Sequence, residues 1–223
     1  MSTTKASLAL LAKDVRSELR TRYALNALLM FIVTSVSTIL FALRSDEPTA
    51  QMYAGMFWVV IFFTAMSGLS RSFVSEAERG TSLVLQLVAD PSVVLAGKLL
   101  ANCALTLLMT AAVTILYLIV FPNFEIGSAD IFASTVVLGS LGFASAGTVL
   151  AAIIAKANVR GTLYPVLAFP VLIPLLMTVM HATGLALEHA PMEDAVMDLQ
   201  VMAGYILVMT GGSFLLFEYV WKD

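Results

Sequence analysis

Two histidines, one cysteine, twelve methionines and fifteen carboxylates are the residues from which this chain could build a chemical site. Cys103 is alone in an apolar stretch, so neither an intrachain disulfide nor a cysteine-based metal cluster is available, and it reads as a small apolar residue. His181 and His189 are too far apart for the i, i+4 pair that grips a metal from one helix face. Either could be proposed as a haem or metal ligand; the plainer reading is a polar residue in a wet loop. Met30, Met52, Met109 and Met177 are scattered through apolar runs, where a thioether serves as deformable packing more often than as a soft ligand. Gly97–Lys98 is followed by Leu99 and lacks the upstream glycine of a phosphate-binding loop. Glu218 is the main ionisable candidate inside an apolar run, and it lies near that run's end. No catalytic residue, metal site or bound cofactor is therefore expected. The one charged constellation of note is Arg71, Glu76, Glu78 and Arg79, closed by Gly80, which suits recognition of another protein better than bond-making.

The elements that carry these residues follow from composition. Of the 223 residues, 60% are hydrophobic and 12% charged. A soluble domain has about 45–50% apolar and about 25% charged residues, so this chain has too little polar surface to cover a globule in water. Its apolar residues fall in runs of membrane-spanning length, which points to an all-α, polytopic membrane protein. The expected spans are 24–43, 52–69, 93–120, 131–155, 163–180 and 199–219, forming a single transmembrane domain over 1–223. The first is too long for a cleaved signal, whose apolar region runs about 7–15 residues. Before it, Leu8, Leu11, Val15 and Leu19 recur at helical spacing among Lys and Arg, predicting an amphipathic interfacial helix over 5–22. Tyr53, Phe57 and Trp58 read as an aromatic belt at the interface. Lys98 is expected to snorkel outward from an over-long third span.

Span four is rich in small residues, and Gly139, Gly142 and Gly147 mark it as a helix that neighbours approach closely. Span five holds Pro165, Pro170 and Pro174. Each proline removes a backbone donor and kinks the helix, which makes Phe169, Pro170 and Pro174 a candidate hinge, with a static kink as the equal alternative. Residues 181–198 are semi-polar, and their GLALEHA stretch is expected to dip back as a short interfacial helix.

Orientation follows from the positive charges. With the N-terminus inside, every Lys and Arg but Arg44 falls on the cytoplasmic side. The outer loops 121–130 and 181–198 hold no Lys or Arg, yet carry Glu125, Asp130, Glu188, Glu193, Asp194 and Asp198. Six spans with both termini cytoplasmic is the expected topology. The net charge of −3 gives no support to a nucleic-acid partner. Segment 70–92 then lies in the cytoplasm, with mixed charges followed by Leu83, Val84, Leu85, Leu87 and Val88, as suits a helix lying on the membrane and facing a soluble protein.

The order of these features resembles ABC-2-type exporter permeases, and more closely the CcmB family, the haem exporter membrane subunit of cytochrome c maturation. The resemblance is carried by FWVVIFFTAMSGLSRSF (Phe57 to Phe73), EAERG (Glu76 to Gly80), AGKLLAN (Ala96 to Asn102), LGSLGFASAGT (Leu138 to Thr148) and LAFPVLIPLL (Leu167 to Leu176), over roughly residues 8–185. One departure is that TSLVLQLVADP has no acid before Asp90. The resemblance implies an ABC-2-type exporter fold in the bacterial inner membrane. It also implies pairing with a second copy of this chain and with a cytoplasmic ABC ATPase that docks on Arg71, Glu76, Glu78, Arg79 and Gly80. ATP would then be bound only by that partner, haem would be a possible cargo, and other cytochrome c maturation membrane proteins would be neighbours. A permease for lipid, polysaccharide or drug, and a non-transporting scaffold, are the alternative readings.

Overall fold

The computed structural model describes residues 12, 23–43, 48–72, 90–156 and 164–222. Segment 73–89 and nearly all of the surface helix expected over 5–22 lie outside them. Among the described residues there are six long helices and no strand. They are α1 (Tyr23–Ala42), α2 (Ala50–Leu69), α3 (Pro91–Val120), α4 (Ala129–Lys156), α5 (Tyr164–Leu187) and α6 (Met192–Lys222). All six are long and apolar enough to cross a membrane. The end where α1 begins and α6 finishes is called proximal here, and the opposite end distal.

Local chemistry sets the starts. Thr49 is extended and its hydroxyl accepts from the Met52 N–H at 3.2 Å, capping α2 just after Pro48. Asp90 is extended and Pro91 opens α3, where a fixed φ is already helical and the missing N–H has no partner to lose. Asp130 in α4, and Glu193 with Asp194 in α6, place negative charge in first turns, where the helix dipole favours it.

The distal ends depart from expectation. Residues 181–198 do not contain a separate interfacial helix: α5 runs on through Leu187, and α6 begins at Met192 rather than near Leu199. The turn between them closes as a Schellman-type helix ending, with Ala190 N–H bonded to the Leu185 carbonyl at 3.1 Å and His189 left-handed at φ 60°. The loop after α3 clamps this turn. Ser128 donates from its N–H to the Ala186 carbonyl (2.8 Å) and from its hydroxyl to the Ala190 carbonyl (2.6 Å). Gly127 leaves room for the His189 ring, which would lie 2.4 Å from any Cβ there. Helices of this length exceed the hydrocarbon thickness: α6, with 31 residues, is about 46 Å long against about 30 Å. The semi-polar sequence at the distal end is helical.

Small residues put α4 at the centre. Of its spanning window 67% is buried, against 11% for α6 and 17% for α1. The distal interior is filled by aromatic rings. Phe57 packs edge-to-face on Tyr117 at 5.2 Å and close to Phe124 at 5.6 Å, while Trp58 stacks on Phe143 at 5.9 Å. Tyr53, Phe57 and Trp58 are therefore core residues, the last two fully buried, and not an interface belt. Lys98 is likewise buried, at 4% exposure, and does not snorkel outward.

Candidate functional site: a proline-broken helix on a glycine bed

Pro170 and Pro174 of α5 lie one turn apart and face outward together with Val166, Phe169, Ile173 and Met177. Pro170 and Pro174 cannot donate to the carbonyls of Val166 and Pro170, so the helical ladder is interrupted on that exposed face. Beside the break, Tyr205 of α6 donates its hydroxyl to the Val171 carbonyl at 3.0 Å, and Thr178 donates to the Pro174 carbonyl at 2.6 Å. These bonds tie down the backbone next to the gap and are made to carbonyls other than the two that lost a donor.

The opposite face of α5 beds on α4 through the three glycines. A Cβ at Gly142 would lie 2.6 Å from Leu175, one at Gly139 would lie 2.4 Å from Trp58 and 3.0 Å from Val179, and one at Gly147 would lie 2.4 Å from Leu69 and 3.0 Å from the Tyr164 hydroxyl. The space a Cβ would take is filled by these neighbouring side chains, from α5 at all three glycines and from α2 at Gly139 and Gly147. The bed carries anchors at both ends. Proximally, Tyr164 donates to the Gly147 carbonyl at 2.6 Å. Distally, the Trp58 indole N–H reaches the Thr183 hydroxyl at 2.7 Å, and His181 Nδ1 sits 2.7 Å from Asp198 Oδ2 of α6. Helix α5 is thus held at its two ends and at the break between them.

A second feature is a polar seam between α3 and α4. Asn102, Thr106 and Thr110 recur at four-residue spacing on α3, each a neighbour of the next, and Lys98 and Thr114 continue the spacing at either end. All but Thr114 are buried. Asn102 donates to the Thr148 hydroxyl at 2.9 Å, Thr106 Oγ1 lies 3.1 Å from the Ser140 carbonyl, and Ser140 Oγ donates to Thr110 Oγ1 at 3.0 Å. Sequence reasoning passed over this seam because each residue is unremarkable alone; the regular spacing is the signal. Distally, the buried Tyr117 hydroxyl and Thr135 Oγ1 have no hydrogen-bond partner among the described residues.

The remaining candidates are placed as follows. Arg71 lies two residues past α2 at the proximal end, exposed, while Glu76, Glu78, Arg79 and Gly80 lie outside the described residues. Phe169 is half exposed and packs edge-to-face on Phe62 of α2 at 5.8 Å. His181 stands on α5, paired with Asp198, and His189 lies apart from it in the turn, so the two do not converge. Among the described residues no group of three or more His, Cys, Asp or Glu is placed to hold a metal. Cys103 is half-buried on α3.

A central glycine helix, a proline-broken partner and four further apolar helices define an all-α integral membrane protein of the multi-pass, permease-like class. The particular family follows from comparison with known families. The chain belongs to the CcmB family, whose model, described as CcmB protein, matches residues 5–215. That family is the membrane subunit of the ABC transporter of cytochrome c maturation, a multi-pass protein of the inner membrane that works with an ABC ATPase. The match runs through residues 5–22 and 73–89. No curated protein matches the chain.

Proposed function

We propose that this subunit couples ATP hydrolysis by a separate cytoplasmic ATPase to haem export or to release of a haem-loaded chaperone. The observation that carries the proposal is the family match over 5–215 on a six-helix bundle. Both termini and segment 70–92 face the cytoplasm, an orientation supported by the basic residues, all of which but Arg44 fall on that side. The ATPase docks on Arg71, Glu76, Glu78, Arg79 and Gly80, and two copies of the chain pair to receive two ATPase subunits. The subunit supplies no nucleotide chemistry of its own.

Movement enters at the proximal end, where 70–92 leads from α2 into α3 and where α5 begins. Helix α5 is the element that responds. Its break at Pro170 and Pro174, where the Val166 and Pro170 carbonyls lose their helical donors, concentrates bending between two anchored ends.

Charge reversal tests the docking. Glu76→Lys with Glu78→Lys should reduce co-purification of the ATPase at least several-fold and lower c-type cytochrome assembly, while helicity and membrane insertion stay unchanged. Full co-purification with undiminished ATPase stimulation would reduce this segment to a connector.

A further inference from the structure

Between α1, the end of α2 and the start of α5 there is a proximal crevice of about 340 Å³. Leu28 and Phe31 of α1, Phe63 and Ser67 of α2, Leu105 of α3 and Pro165 of α5 line it, and Arg71 stands on its wall as the one charged side chain among the described residues. No carboxylate is among the described residues that line it. The volume lies in the range of about 300–1,000 Å³ typical of small-molecule sites.

The lining is apolar along its depth, with one cation and one hydroxyl, and Arg71 is exposed past the end of α2. That pattern complements an amphipath with an apolar tail and an anionic head at the membrane surface. A free anion would leave the apolar wall unmatched, and a neutral lipid would leave the guanidinium unmatched. A guanidinium presents planar paired donors to phosphate oxygens, and basic pockets between transmembrane helices on the cytoplasmic side bind anionic headgroups. Gly68 keeps the floor narrow: a Cβ there would lie 3.1 Å from Leu105 and 3.4 Å from Leu28.

We propose that this crevice seats one acyl chain of an anionic phospholipid, with the lipid phosphate held at Arg71. The bound lipid acts as a wedge between α1 and α5 beside the coupling segment. The site shares Arg71 with the proposed ATPase docking, so the test is run without the ATPase and the two readings fail separately.

The test uses the full chain purified in a neutral detergent, with no ATPase present, and counts bound lipid by native mass spectrometry. Phosphatidylglycerol and phosphatidylcholine are added in turn at equal concentration. The wild type should bind phosphatidylglycerol about fivefold more tightly. R71Q should bring the two lipids to equal affinity without weakening phosphatidylcholine. Ser67→Phe, which fills the crevice from a lipid-accessible position, should lower binding of both. No headgroup preference in the wild type, or a preference that survives R71Q, overturns the proposal. So does lipid binding that appears only after residues 5–22 are removed, which would make that segment the occupant, or binding confined to monomer, which would make it a second copy.

Discussion

Gly139 and Trp58 carry more of the packing argument than any other pair. The indole ring is fixed by its bond to Thr183 and its stack on Phe143, so it cannot retreat from a methyl group placed 2.4 Å away. Gly139→Ala should lower thermal stability in detergent by about 1–3 kcal/mol, the usual penalty of overpacking. Gly204→Ala on α6 meets nothing within 4 Å and should leave stability unchanged or raise it by up to about 1 kcal/mol. Equal effects at the two sites would contradict the seating of Trp58 of α2 over Gly139 of α4. Tyr117 makes the opposite point. Its hydroxyl is buried without a partner among the described residues, and removing an unsatisfied group is neutral or stabilising. Tyr117→Phe should therefore keep or raise the melting temperature, and a fall above about 1 kcal/mol would reveal a partner for that hydroxyl. At this scale the small residues of span four stand out in the sequence as a signal of close helix packing. The burial of Tyr53, Phe57 and Trp58 was not legible. Lipid and protein interior are equally apolar, so an aromatic residue near a span end gives no sign of which it faces.

Among the elements, α5 is the one proposed to move. Its prolines predict a broken helix, and the structure adds what holds the backbone beside the break: Tyr205 from α6 on the Val171 carbonyl and Thr178 on the Pro174 carbonyl. Pro174→Ala restores a donor to the Pro170 carbonyl and helical propensity on an exposed face. Stability should hold or rise, while c-type cytochrome assembly falls, when both are measured on the same variant. Undiminished assembly would mean that the kink is static. The distal ends of α5 and α6 were not legible as helix, because hydropathy marks where the apolar layer ends and says nothing about where the backbone ladder ends. Four-residue spacing from Lys98 to Thr114 is a pattern in the sequence whose partner, the Ser140 to Thr148 face of α4, becomes clear only when the two helices are side by side. Interhelical bonds of this kind contribute about 0.6 kcal/mol each in membranes, so the seam sets register more than it adds stability.

For the whole molecule, the count of helices is given by hydropathy and the family by the order of motifs, from the aromatic second span to the proline-broken fifth. Neither gives the partner surfaces, because the residues that meet an ATPase or a second copy have no counterpart within the chain to reveal them. The large exposed side chains of α1 and α6, among them Phe41, Leu207 and Leu215, suit lipid and a partner helix equally. The central claim is a role in cytochrome c maturation, and haem staining of membrane c-type cytochromes tests it most directly. In a strain lacking this gene the stained bands should disappear, return when the gene is restored, and fail to return in full with the Glu76→Lys, Glu78→Lys variant. Normal staining in the deletion strain would contradict the account and leave a permease of a different cargo.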